Sequence, residues 1–313
     1  MTESSSVSPT EFLAVAALIR RLDPTWRLVR AWPLTGGVSA RVTALDVLLP
    51  DGQRREFVLR EHGPADVAAN AHVAADEFRL LAHLHAAGLP VPKPVAYEDA
   101  ATGAAASAIV LERLAGASTP APADSVAAAR QMAAFLARLH ALADVPTFLP
   151  DATARIGARL GQTPAHIDAA LSEGEIRAAL TQVWPLPLQH APVLLHGDFW
   201  PGNVLWQDGR LTGVIDWEDA ARGDPLADVA NARLELLWAW GPAAMAAFTA
   251  GYLAAAPVDA AHLPYWDLCA ALRPAGKLSS WGLDVATART MRDQHRWFVT
   301  QAFANLNKPP QHA

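Results

Sequence analysis

The chain has 313 residues, 52% of them hydrophobic, with 25 Lys and Arg against 31 Asp and Glu for a formal charge of −6. This is enough apolar content for a substantial core, and the single cysteine, Cys269, excludes a disulfide scaffold. The acidic balance without a dense basic stripe argues against a nucleic-acid partner, and no apolar run reaches membrane-spanning length without breaks or charges.

Residues 1–6 are polar and lack the basic start and apolar centre of a signal peptide, so a cytoplasmic protein, monomer or homodimer, is expected. Residues 34–40 then read Leu-Thr-Gly-Gly-Val-Ser-Ala, ahead of an alternating apolar run over 42–49. A turn of this kind between two strands lets backbone N–H groups approach phosphates, and Gly36, Gly37 and Ser39 are its candidate nucleotide contacts. It is neither G-x-G-x-x-G nor a Walker loop, which takes support from Rossmann and P-loop readings.

After the Asp51-Gly52 turn, residues 56–60 read as a strand with Val58 and Arg60 on the face opposite Phe57 and Leu59. Recurrence of Phe78, Leu81 and His85, and of Leu80 and Leu84, predicts a helix over 74–87 that carries Asp76 and Glu77. Residues 91–95 enter another strand. A Pro-rich loop, 117–123, precedes a helix with Asp124 as its N-cap and an apolar face through Met132, Phe135, Leu136 and Leu139. His72, His83, His85 and His140 form no H-E-x-x-H and have no cysteine cluster beside them, so they are expected as helix-surface residues. Ser39 and Ser107 lack the G-x-S-x-G context of a hydrolase nucleophile.

The densest chemistry lies at His196-Gly197-Asp198-Phe199-Trp200-Pro201-Gly202-Asn203, followed by Val214-Ile215-Asp216-Trp217. Phosphoryl transfer needs an acceptor hydroxyl held in line and cations that spread charge on the transferred group. The Asp198 carboxylate suits the first task as a proton acceptor. The amide oxygen of Asn203 and the carboxylate of Asp216 are hard oxygen ligands suited to Mg²⁺. Residues 204–206, the Asp208-Gly209 turn and residues 211–215 predict a hairpin that brings Asn203 and Asp216 together. His196 reads as a brace for the loop.

These residues, H-G-D-x-x-x-x-N followed by I-D-W, resemble the aminoglycoside phosphotransferase and choline kinase family of protein-kinase-like small-molecule kinases. The similarity runs from about residue 33 to the early 230s and includes Gly223-Asp224-Pro225-Leu226-Ala227-Asp228, where it implies that Asp228 braces the catalytic loop. It implies an α+β, two-lobe fold: a nucleotide-binding lobe of sheet and helix over 1–114, and a mainly helical catalytic and acceptor-binding lobe over 115–313. It places Arg60 where such kinases carry a phosphate-binding Lys, with Glu77 as its partner, and makes residues 108–114 the family's strand and hinge, whose backbone near Glu112 to Leu114 would hold the adenine edge. Arginine suits that position because its fork pairs bidentately with phosphate or carboxylate. Gly197 stands where protein kinases have Arg, and only six residues separate Asp216 from Gly223, leaving no room for a long activation loop. A small-molecule acceptor follows.

The implied activity is transfer of the γ-phosphoryl group of ATP or GTP, with Mg²⁺, to a small-molecule hydroxyl. The acceptor stays open among aminoglycosides, amino alcohols such as choline or ethanolamine, and sugars; a non-catalytic nucleotide-binding homologue is the alternative. Past residue 233 the chain offers Glu235, Trp238, Trp240, Tyr265, Trp266, Asp267, Trp281, Asp284, Asp293 and Trp297 as possible acceptor contacts. The same stretch carries Arg273, Lys277, Arg289, Arg292 and Arg296, so it is not the acidic basin a polycationic aminoglycoside requires.

Overall fold

A computed structural model describes residues 6–34, 40–102, 107–118 and 122–306. The chain separates into two compact units, Met1–Ala115 and Gly116–Ala313. The glycine turn, with Gly36, Gly37 and Ser39, lies outside the described residues.

The first unit comprises α1 (Pro9–Leu22), β1 (Arg27–Pro33), β2 (Arg41–Leu48), β3 (Arg54–Glu61), α2 (Pro64–Ala69), α3 (Val73–Ala86), β4 (Pro94–Glu98) and β5 (Ala108–Glu112). Its strands form one antiparallel sheet in the order β1-β2-β3-β5-β4. Alternation sets its core: Leu45 and Val47 of β2, Phe57 and Leu59 of β3, and Ala108 and Val110 of β5 meet Val15, Leu18 and Ile19 of α1. Helix α1 starts where Ser8 and Glu11 close a capping box, each side chain bonding the other's backbone N–H, with Pro9 at the first helical position.

The second unit contains α4 (Ser125–His140), α5 (Ala152–Gly161), α6 (Glu173–Val183), β6 (Val193–Leu195), β7 (Val204–Gln207), β8 (Arg210–Val214), β9 (Ala221–Gly223), α7 (Leu226–Trp240), α8 (Pro242–Ala255), α9 (Leu263–Ala271) and α10 (Val285–Leu306). Asp124 caps α4 through the N–H of Ala127, and Met132, Phe135, Leu136 and Leu139 are all buried. Two short ribbons interrupt the helices. Strand β6 pairs antiparallel with β9, and β7 pairs with β8 across a turn in which Asp208 and Gly209 both have positive φ, at 50° and 72°. Among the described residues no helix is long and apolar enough to cross a membrane.

Candidate active site

In the second unit, the pairing of Leu195 with Ala221 fixes the start of the loop that follows β6 against the residues that lead into β9. Gly197 is the point of closest approach. Its φ is +82°, and a Cβ there would lie 2.0 Å from the Asp219 carbonyl oxygen, so both conformation and space demand glycine. The other ribbon acts on the far end of the loop: Ile215 N donates to Asn203 O at 2.9 Å, which sets Asp216 next to the Asn203 backbone. Asp216 itself has φ +66°, an uncommon conformation for a residue with a side chain and one that recurs where geometry serves chemistry.

Three side chains hold this loop. His196 is fully buried; its Nδ1 accepts from Asp198 N at 3.2 Å and its Nε2 donates to Ile215 O at 3.1 Å. Those two bonds need the neutral ring protonated at Nε2, so His196 is a brace between the two motif segments. Asp228, in the first turn of α7, accepts from His196 N at 2.7 Å and from Gly197 N at 2.9 Å. Burial opposes its charge, but His140 Nε2 at 3.3 Å and the Gly197 N–H outweigh that and hold its carboxyl below the usual range. Phe199 is fully buried and stacks on Phe135 of α4 at 5.6 Å.

His140 departs from the sequence expectation. It is buried on α4 rather than exposed, bonding Tyr252 OH at 2.6 Å through Nδ1 and facing Asp228 through Nε2. The helical period correctly puts it on the apolar side of α4, where a polar ring persists only with partners.

Asp198 projects from the braced loop with about a third of its side chain exposed. Arg273, two residues beyond α9, donates to Asp198 Oδ1 at 2.8 Å and to Gly197 O at 2.6 Å. Asn203 Nδ2 donates to Asp198 O at 3.0 Å and lies 3.4 Å from Oδ2. With its amide nitrogen so engaged, Asn203 presents its carbonyl oxygen away from Asp198. The Asp198 carboxyl is raised above its ordinary value, first by burial and then by the charges of Asp219 and Asp216, against the pull of Arg273. Glu235 of α7 feels Asp198 as well, and burial together with that charge pushes it up to about 7.

In the first unit, Arg60 of β3 is buried, and its Nη1 lies 3.4 Å from Oε1 of Glu77 on α3. Glu77 is buried rather than exposed on its helix. His62, which the sequence did not single out, brings Nε2 to 3.1 Å from Glu77 Oε2, off hydrogen-bond alignment. Burial disfavours the Glu77 charge, yet Arg60 and His62 prevail and keep its carboxyl below the normal value. Glu112 ends β5, with its N–H donating to Lys93 O at 2.8 Å and its side chain 3.6 Å from Lys93 Nζ, and Leu114 is half-buried beyond it.

The aromatic and acidic residues past 233 do not assemble into one box. Asp267 is bound by Arg233, Asp284 caps the start of α10 through Thr287, Asp293 pairs with Arg296, and Trp238 donates to Met291 O.

The sequence profile of the phosphotransferase enzyme family matches residues 33–269. The chain belongs to this family. Viomycin phosphotransferase of Streptomyces vinaceus is 32% identical over 206 residues, 58% of this chain and 70% of that protein. Acyl-CoA dehydrogenase family member 11 of Rattus norvegicus is 28% identical over 202 residues, 58% of this chain, which spans about 25% of that relative's length. Among solved structures, an aminoglycoside phosphotransferase in ternary complex with ADP and hygromycin B aligns over 95% of this chain and 98% of its own, with TM-score 0.61 and 21% identity. The α+β, kinase-like phosphotransferase fold implied by the His196–Asn203 motif is therefore the fold of this chain.

Proposed function

We propose that the protein is a small-molecule kinase that moves the γ-phosphoryl group of ATP or GTP to an alcohol acceptor. The observation that carries this reading is the braced loop: Asp198 held by Arg273 and Asn203, with Asn203 and Asp216 brought side by side by the β7–β8 ribbon. Family membership supports it. In this reading residues 1–114 hold the nucleotide, with Arg60 oriented by Glu77 toward the phosphates, the glycine turn at Gly36, Gly37 and Ser39 against them, and the backbone of Glu112 to Leu114 on the base. Residues 115–313 supply the catalytic and acceptor-binding groups.

Asp198 takes the acceptor's hydroxyl proton, or orients that hydroxyl, as its oxygen forms the new bond to the γ-phosphorus. The bond between that phosphorus and the bridging oxygen breaks, and the nucleoside diphosphate leaves with the electron pair. The raised pKa of Asp198 makes it a better proton acceptor than an ordinary aspartate, while Arg273 keeps it ionised. Hard oxygens at Asn203 Oδ1 and the Asp216 carboxylate fit Mg²⁺, which when bound neutralises charge on the phosphates. His196, Gly197 and Asp228 fix where the base stands.

Asp198→Asn should lower turnover by 100-fold or more, on the order of what general-base loss costs, with nucleotide affinity nearly unchanged. Turnover within tenfold of the parent would remove Asp198 from this role. Asp216→Ala should instead abolish the Mg²⁺-dependent increment in nucleotide affinity, measured by titration with and without the metal; a retained increment would make Asp216 a turn residue only.

A further inference from the structure

The second unit contains a cavity of about 120 Å³ that opens beside Gly197 and Arg273, roughly ten times the volume one water needs. Its polar lining is mainly donors, with the Asp219 and Asp228 carboxylates as the exceptions. Arg155 and Arg159 project from successive turns of α5, Arg273 comes from the end of α9, and Asn231 of α7 and Trp266 of α9 complete it. Asn231 and Trp266 are 3% and 4% exposed, yet Asn231 Nδ2 and Trp266 Nε1 have no hydrogen-bond partner among the described residues. Buried donors left unmade are costly, and both of these belong to residues that line the one cavity.

The charges agree. Arg273 is engaged by Asp198 and Gly197 O, and Arg155 donates to Asp219 O at 3.1 Å with its carboxylate at 3.9 Å. Arg159 has no carboxylate within 4 Å among the described residues. Arg159 is exposed as a residue, but desolvation of its guanidinium and the neighbouring Arg273 and Arg177 charges disfavour its ionised form while Asp219 favours it, and an incoming anion would add to the Asp219 pull. The carboxylates on the wall cannot serve an ammonium group well: Asp228 is consumed by the loop it caps, and Asp219 lies against Arg155. An amine ligand would add donors and positive charge to a cavity already supplied with both.

We propose that this cavity takes the anionic group of the acceptor, so that the substrate is a hydroxylated small molecule bearing a carboxylate or a phosphate, held by Arg159, Asn231 and Trp266 while its hydroxyl reaches Asp198. This rests on the kinase reading above and narrows it. Oxygen acceptors of a planar carboxylate or a phosphate match a guanidinium fork, and the indole and amide N–H groups cap the remaining lone pairs.

The test reads binding apart from turnover. Full-length Asp198→Asn protein is screened by thermal shift and calorimetry against hydroxy acids and sugar phosphates, each matched with its neutral amide or unphosphorylated sugar, and against kanamycin. At least one anion should bind tenfold or more tighter than its neutral counterpart, and Arg159→Gln should remove most of that preference. Trp266→Phe, which keeps the ring and removes the N–H, should weaken the same anion severalfold. In the protein with Asp198 intact, Arg159→Gln should raise KM for that anion with kcat nearly preserved. If hydroxy acids bind and sugar phosphates do not, the anion is a carboxylate; the reverse names a phosphate. No anion preferred over its neutral partner, kanamycin bound more tightly than any anion, or a preference untouched by Arg159→Gln would each overturn the proposal. Anion binding that depends on Arg159 without any phosphorylation would leave the cavity assignment standing and sink the kinase reading instead.

Discussion

Asp198 stands under opposing influences, and the balance has a measurable sign. Burial and the carboxylates of Asp216 and Asp219 raise its pKa, while Arg273 at 2.8 Å lowers it. In its proposed role as base Asp198 must be ionised to work, so turnover should fall as pH drops through the Asp198 pKa, at higher pH than for an ordinary aspartate. Arg273→Ala removes the strongest pull toward ionisation, so the acidic limb of kcat should move to higher pH and the rate should fall at neutral pH. Arg273→Lys should restore part of both, since charge survives without the fork that also bonds Gly197 O. A pH–rate profile decides it: an acidic limb unmoved in Arg273→Ala would mean that the limb reports some other group. Arg273 lies 75 residues from Asp198 in sequence and belongs to no motif, which is why sequence reasoning saw it only as one more cation in the tail.

At the scale of elements, the loop that carries Asp198 depends on the first turn of α7. Asp228 satisfies two backbone N–H groups of the loop and faces His140, all in the interior, so Asp228→Ala strands buried donors and should cost roughly 3 kcal/mol. Because its folded pKa is depressed, the Asp228 contribution is fully present above the unfolded aspartate value. It is lost as pH falls through the lower folded value, so acid unfolding of the parent should show it. Asp228→Asn cannot gain this charge and should flatten that acidic dependence; equal acid sensitivity in parent and variant, followed by chemical denaturation at several pH values, would refute the assignment. The elements around this contact were legible because their signals are local. Asp208-Gly209 forces a two-residue turn, Asp124 caps α4, and the apolar period of 132–139 faces inward. Helix α1 was not read, although Ser8 and Glu11 around Pro9 carry its capping signal, because a short amphipathic segment does not announce that a sheet needs covering. His140 shows the converse: helical period places it on the buried side, but only the fold supplies Tyr252 and Asp228 as partners.

For the molecule as a whole, the motif segments fix family and fold while the chain past residue 233, proposed to bind the acceptor, carries no such constraint, because any donor arrangement compatible with helix packing can be built there. Arg155, Arg159, Asn231 and Trp266 come from three helices and meet only in three dimensions. The nucleotide end lies between these extremes. Arg60 and Glu77 could be matched through the resemblance, whereas His62 could not, since one histidine after a strand has no pattern. The pair makes a prediction about the stability of the whole chain. A nucleotide that binds only folded protein stabilises it by about 2.7 kcal/mol at a concentration 100 times its Kd. If Arg60 meets the phosphates and Glu77 acts by orienting it, Arg60→Ala should remove much of the Mg-nucleotide thermal shift, and Arg60→Lys should retain part. Adding Glu77→Ala to Arg60→Ala should then weaken nucleotide binding little further, because two residues acting through one ion pair are not additive. Glu77→Ala alone should be severe, since it leaves Arg60 buried without the carboxylate 3.4 Å away. Calorimetric nucleotide affinities for the four proteins of this cycle settle the point: fully additive losses would show that Glu77 does not act through Arg60.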